Sequence, residues 1–395
     1  MAGFSIRFGM QDGKTKAMKT KACIVVSSPM TIEAFLQDQL RALNALCEMS
    51  VVANAPDGAF LKKLNIRASF KGVPLERKVC PLTDLHALYS LILIFLRERF
   101  EVVHSITPKA GLLGMGAAFF ARVPVRVHTF TGQVWATKSG VARALLRFLD
   151  KLIAGFATHV LVDSHSQRKF LVENGVVSQE KSCVLGDGSI SGVNALRFRP
   201  NPQARRTFRK KNKIPDEDIV FVYVGRLKRD KGIPELLAAF EKIAKKNSSR
   251  WLLLVGPDEE NLGRLIQASP AITKIIMVGH TSSPDLYLAA SDIFVLPSHR
   301  EGFGSSVIEA AACGIPAVAS RIYGLTDAVV HGRTGLLVTR GDVGELARAM
   351  ERLGKDRKLR LRMGREAQHR AKVRFDQKKI TEALLQFYRK ILPLH

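Results

Sequence analysis

Short runs of uninterrupted apolar residues, each followed by a loop and then by helical periodicity, recur along this chain. Ala22-Cys-Ile-Val-Val26, Ile219-Val-Phe-Val-Tyr-Val224 and Ile293-Phe-Val-Leu-Pro297 are the clearest. A strand that is apolar at every position is buried on both faces, and such strands belong to parallel sheets covered by helices on either side. Val102-Val-His104, Val125-Arg-Val-His128, Val160-Leu-Val162 and Cys183-Val-Leu185 extend the alternation, with Gly111 to Ala121 reading as a helix between two of them. The expected class is α/β with parallel sheets. At 395 residues the chain is long enough for two cores of ordinary size. Ligands of open α/β sheets bind at the carboxyl ends of the strands, so the loops that follow the apolar runs are where chemistry is expected.

Two of those loops stand out. Glu301-Gly-Phe-Gly-Ser-Ser-Val-Ile-Glu-Ala310 joins the strand ending at Pro297 to a helix from Val307 to Cys313, closed by Gly314 and Pro316. A glycine-rich loop feeding a helix N-terminus suits a phosphate. Glu301 and Glu309 are acceptors suited to sugar hydroxyls. Ser306-x-x-Glu309 also spells a capping box, which would account for Glu309 with no ligand at all. The second loop, Gly225-Arg-Leu-Lys-Arg-Asp-Lys-Gly232, follows the strand Ile219–Val224 and places Arg226 and Lys231 at a strand end. A basic loop is usually only a solvated loop, but cations and glycines are here where a diphosphate would need them.

Taken together these segments resemble the retaining family-4 glycosyltransferases, whose GT-B fold sets two Rossmann-like domains across a cleft. The resemblance runs from about Lys21 to Tyr388 and includes Ala319-Ser-Arg-Ile-Tyr-Gly-Leu-Thr-Asp327, His331-Gly-Arg-Thr-Gly-Leu-Leu-Val338 and Leu361-Arg-Met-Gly364. It implies that Glu301 contacts the donor sugar, that Glu309 holds the ribose, and that Arg226 and Lys231 hold the diphosphate. Gly225, Gly302, Phe303, Gly304 and Ser305 would complete the nucleotide-sugar contacts. The family also places a histidine after the strand opening onto the cleft, which falls on His128, while His104 occupies a comparable strand end. The first βα loop departs from the family pattern, because Ser28 and Pro29 replace the usual paired glycines.

The resemblance divides the chain into a basic tail over 1–20, an acceptor-side domain over 21–198, a polar linker over 199–215, a nucleotide-sugar domain over 216–375, and a C-terminal helix over 376–395 returning to the first domain. The first twenty residues lack the apolar core of a secretory signal, and no apolar run is long enough to span a bilayer. Five cysteines without Cys-x-x-Cys spacing read as small buried residues of a reducing compartment. The formal charge of +26 is spread over both halves. No nucleic-acid motif accompanies it, and an anionic membrane face accounts for the charge as well. The helices Gly111–Ala121 and Val141–Phe156, with Arg122, Arg126, Lys138, Arg143, Arg147 and Lys151, are the expected contact.

Two motifs are decoys. Asp216-Glu-Asp218 spells the Asp-x-Asp of metal-dependent glycosyltransferases but precedes its strand, at the wrong end of the sheet. Gly111, Gly114 and Gly116 have the wrong spacing for a dinucleotide fingerprint and read as close helix packing. The expected activity is a retaining transfer of a hexosyl or N-acetylhexosaminyl group from a UDP-sugar, without metal or other cofactor, to a lipid-linked or growing surface glycan at the cytoplasmic membrane face. A soluble acceptor, or a non-catalytic basic membrane- or nucleic-acid-binding protein, are the alternatives.

Overall fold

The computed structural model describes residues 19–76 and 80–392. Nearly all of the tail expected over 1–20 lies outside these residues, and Thr20 already opens the first strand. The first sheet contains β1 (Thr20–Val25), β2 (Cys47–Ala53), β3 (Ser69–Gly72), β4 (Val102–Ile106), β5 (Val125–Phe130), β6 (His159–Val162) and β7 (Ser182–Cys183). The second contains β8 (Ile219–Val224), β9 (Arg250–Val255), β10 (Ile275–Gly279), β11 (Ile293–Leu296), β12 (Ala317–Ser320) and β13 (Gly335–Val338). Their spatial orders are β3-β2-β1-β4-β5-β6-β7 and β10-β9-β8-β11-β12-β13, every pairing parallel. Each is a doubly wound Rossmann-like sheet, and together they form the GT-B architecture.

The apolar runs are continuous because both faces of each sheet are covered. In β1, Cys23 and Val25 enter one hydrophobic cluster with Leu91, Met115 and Ile153. Ala22 and Ile24 enter the other, with Leu40, Val51 and Val127. The two-residue period of a strand sends neighbours to opposite faces, so each must be apolar.

Residues expected as a polar linker instead form the helix Pro202–Lys211, capped by Asn201, whose Oδ1 accepts from the Ala204 N–H at 3.0 Å. Arg209 is buried in the second domain and donates to Asp292 at 2.7 Å and to the Pro215 and Asp218 carbonyls at 2.7 and 3.0 Å. Arg205 bonds the other oxygen of Asp292 at 2.8 Å. An arginine with an acceptor at every nitrogen can be buried, which a charge count along the sequence does not reveal. The chain crosses between domains at Val193 and again near Asp376, and there the two passes pair: the Val193 N–H donates to Phe375 O at 2.7 Å and the Gln377 N–H to Val193 O at 3.1 Å. The last helix, Gln377–Ile391, packs Leu384 and Tyr388 into the core of the first domain.

Candidate active site

Each sheet reverses its strand order once, between β1 and β4 and between β8 and β11. Loops leaving two such strands diverge and open a crevice. In the second domain that crevice is bordered by the segments 225–232 and 297–304, the two loops the sequence singled out. They press closely together. Gly232, with φ of 73°, has no room for a side chain, because a Cβ there would lie 2.1 Å from the Pro297 carbonyl oxygen.

This approach brings Lys231 Nζ to 2.7 Å from Glu301 Oε1, which also accepts from Ser298 Oγ at 2.8 Å. The two charged side chains are only 17% and 14% exposed, so the attraction between them is screened less than at an open surface. Arg226 does not join them. Its guanidinium turns toward the loop after β9, 3.1 Å from Glu259, and remains 39% exposed.

The helix Ser305–Ala312 begins at Gly304 in the left-handed region, with no side-chain cap. Ser306 is therefore inside the helix, and the capping-box explanation of Glu309 falls away. Glu309 is one full turn in, closely surrounded by protein yet still reaching solvent. Burial lifts its carboxyl to about 7, opposed by Arg197 and reinforced by Asp285. Two of the expected nucleotide contacts are also packed into the fold. Phe303 is a core residue, edge-on to Phe375 at 5.1 Å, which leaves only its backbone for a ligand. Gly302 is pressed against the other domain: a Cβ there would lie 2.5 Å from Thr131 O and 2.8 Å from Asp163 Oδ2.

His128 lies inside β5 and not at its end, since the strand continues to Phe130. Its Nδ1 bonds Ser105 Oγ at 2.8 Å, and its ring fills the space that a side chain at Gly111 would need. Burial holds the imidazole neutral by lowering its pKa to about 3. His104 is no cleft residue. It is buried between Tyr388 Oη at 2.9 Å and Thr129 Oγ1 at 2.7 Å, tying the returning helix to the first sheet.

Residues 204–370 match the model of the glycosyl transferases group 1, and residues 31–188 match a glycosyl transferase 4-like domain. The chain is 32% identical over 351 residues to the capsular polysaccharide biosynthesis glycosyltransferase CapM of Staphylococcus aureus, covering 87% of this chain and 90% of that one. The protein is a group 1 glycosyltransferase. It is also 27% identical over 304 residues, 75% of this chain and 77% of the relative, to the Escherichia coli UDP-Gal:alpha-D-GlcNAc-diphosphoundecaprenol alpha-1,3-galactosyltransferase. The solved structure of HepE from Anabaena with UDP and glucose superposes with a TM-score of 0.79 at 21% identity, covering 94% of this chain and 100% of that one.

The groups of this glycosyltransferase that join its two domains beside the cleft carry little signal in the sequence. Asp163 follows β6 directly and is buried against Gly302, with no hydrogen bond to its Oδ1 among the described residues. Burial, and then the charge of Glu301, push its carboxyl up to about 8. Ser164 Oγ donates to the Gly302 carbonyl at 2.8 Å, and the Ser166 N–H donates to Asp327 Oδ2 at 3.2 Å. Tyr323 stacks on Phe170 with centroids 4.5 Å apart, and Phe170 stacks on Trp135 at 4.9 Å. An aspartate at a strand's carboxyl end was the available signal. Asp218 occupies the opposite end of its sheet and accepts from Trp251 Nε1 at 2.8 Å.

Proposed function

We propose that the protein transfers a sugar, with retention, from a UDP-sugar to a lipid-linked or growing surface glycan at the inner face of the cytoplasmic membrane. The observation that carries this reading is the Lys231–Glu301 pair at the switch point of the second sheet, facing the first domain. A sugar nucleotide breaking at its anomeric carbon separates into a cationic sugar and an anionic diphosphate, and the pair offers one charge of each sign at that place. Lys231, joined by Arg226 on turning from Glu259, takes the diphosphate. Glu301 takes the sugar hydroxyls, Glu309 the ribose, and neutral His128 the sugar from the first domain. The C1–oxygen bond breaks with its electron pair going to the diphosphate. The acceptor hydroxyl attacks C1 from the same face and passes its proton to the departing phosphate oxygen, so configuration is kept.

A UDP-linked donor is supported by the UDP held by HepE of Anabaena, and a lipid-linked acceptor by the diphosphoundecaprenol substrate in the name of the E. coli relative. No helix among the described residues is long and apolar enough to cross a membrane. The helix Pro81–Glu98 instead exposes Leu82, Leu85, Tyr89, Leu93 and Leu96, which share one face by their three- and four-residue spacing. The helix Pro108–Phe120 packs beside it and exposes Phe119 and Phe120, and the helix Gly140–Phe156 packs on that one and exposes Val141, Leu145 and Phe148. Arg97, Arg99, Arg122 and Lys151 on or next to these helices are exposed too. Exposed apolar side chains accompanied by exposed cations suit the headgroup region of an anionic bilayer.

Screening UDP-, GDP- and ADP-sugars for thermal stabilisation tests the donor, since a ligand at 100 times its Kd adds about 2.7 kcal/mol. The anomeric configuration of the product tests retention. Partition of labelled product into organic solvent, and salt-sensitive sedimentation with anionic but not neutral vesicles, test acceptor and membrane. Stabilisation by no nucleotide sugar, with no labelled product, would overturn the reading.

A further inference from the structure

The Lys231–Glu301 contact is one of two ion pairs between the two loops, and a hydrogen bond from the second loop to the start of the helix Ile233–Ala244 flanks them. On one side Arg300 donates to Asp230 Oδ2 at 2.8 Å, and on the other His299 Nε2 lies 2.9 Å from Glu235 Oε1. The His299 N–H adds a backbone strut to the Asp230 carbonyl at 2.9 Å. Asp230 and Arg300 are the immediate chain neighbours of Lys231 and Glu301, so their contact sets the register of the central pair. The remaining oxygens, Asp230 Oδ1 and Glu235 Oε2, are buried with no hydrogen-bond partner among the described residues. Burying a carboxylate oxygen unanswered is destabilising, and an apolar contact would hold two loops together at lower cost. These acids flank the lysine that, in the proposed function, meets the diphosphate.

We propose that Asp230 and Arg300 are positioning residues for the transfer reaction: their ion pair holds Lys231 against Glu301 before the donor arrives. The claim rests on the function proposed above. A lysine side chain loses much rotamer freedom when it is fixed, and holding it in place beforehand removes that cost from the chemical step. When the donor binds, Lys231 exchanges Glu301 for the diphosphate, and Glu301 is released to the sugar. Neither Asp230 nor Arg300 touches the substrate in this scheme.

The test is a double-mutant cycle on the full chain with Asp230→Asn, Arg300→Gln and both together, reading kcat, UDP Kd and Tm. Each single change is expected to lower kcat about tenfold while UDP Kd moves less than threefold, and the double variant should be no worse than either single one. If Arg300→Gln does not fold, Arg300→Lys keeps the charge, loses the planar fork, and should show the same split at smaller size. Wild-type kcat in folded single variants, or losses that simply multiply in the double variant, would overturn the clamp while leaving the enzyme reading intact. A wild-type protein that neither turns over a nucleotide sugar nor binds UDP would remove the functional reading, and the clamp's role in catalysis with it.

Discussion

The two switch points of this molecule share a topology and differ in chemistry. Between β8 and β11 the crevice holds Lys231, Glu301, Asp230 and Arg300, paired at 2.7 to 2.8 Å. Between β1 and β4 the corresponding loops meet through Ser27 Oγ and Thr107 Oγ1, 2.9 Å apart, and the histidines nearby are held neutral by burial. The same strand order thus makes one crevice whose loops meet through ion pairs and one whose loops meet through hydroxyls, with the Lys109–Asp84 pair at its flank. Topology supplies the opening, and the residues at the strand ends decide which ligand it takes. Under the proposed function, the charged donor would sit on one side and the acceptor hydroxyl on the other.

The strongest way to break that contrast is to remove its central charges. Lys231→Ala is expected to lower kcat/KM by about 100-fold or more, since it deletes the cation where leaving-group charge develops. Glu301→Gln should lower turnover comparably while leaving UDP affinity near normal, because its partner is the sugar and not the nucleotide. Wild-type turnover in Glu301→Gln would end the contrast, and calorimetric UDP titration separates the two variants.

Glu309 sharpens the comparison through pH. Its carboxyl is lifted to about 7, and the ionised form accepts hydrogen bonds from the ribose hydroxyls more strongly than the protonated one. UDP affinity should therefore weaken as the pH falls from 8 to 6. Glu309→Gln should bind UDP more weakly at pH 8, by about 1 to 3 kcal/mol, and lose that pH dependence. An identical pH profile in wild type and variant would exclude Glu309 from the nucleotide site.

Asp163 probes the seam between the two regions. Its ordinary unfolded pKa is about 3.9, and its folded value is about 8. Between those values the folded protein keeps a proton that the unfolded chain has released, so this group's stabilisation is full below about pH 4 and is lost as the pH rises to about 8. Asp163→Asn should flatten the fall of Tm between pH 5 and 8 relative to wild type. Parallel Tm profiles would show that the carboxyl is not titrating in the closed seam.

The smallest effect is expected at the decoy. Asp216→Ala with Asp218→Ala should cost about 1 kcal/mol of stability through the lost bond from Trp251 Nε1, and leave kcat unchanged with or without EDTA. Loss of activity on chelation, restored by Mg²⁺ or Mn²⁺, would reopen a metal role.

Much of this contrast is legible along the chain, though unevenly. The loops around Lys231 and Glu301 announce themselves because glycines, charges and a preceding apolar run coincide within ten residues. Arg209 and Asp292 do not, because burial of a charge depends on partners far away in sequence. The same holds for the Phe303 side chain: an aromatic in a glycine-rich loop looks available for a ligand until Phe375 is seen packed against it. Nor could His128 be distinguished from a strand-end residue, since strand ends are set by neighbouring strands as much as by local residues.

What the sequence determined by itself was the period: apolar runs fit only for parallel strands buried on both faces, joined by helices, with glycines where loops must approach closely. Those are local properties, fixed by side-chain size, backbone freedom and the two-residue repeat of a strand. The tertiary structure alone decided which loops met. Lys231 and Glu301 are separated by 70 residues. They meet because β11 pairs beside β8 and not beside β10, and strand order is settled by how whole layers pack.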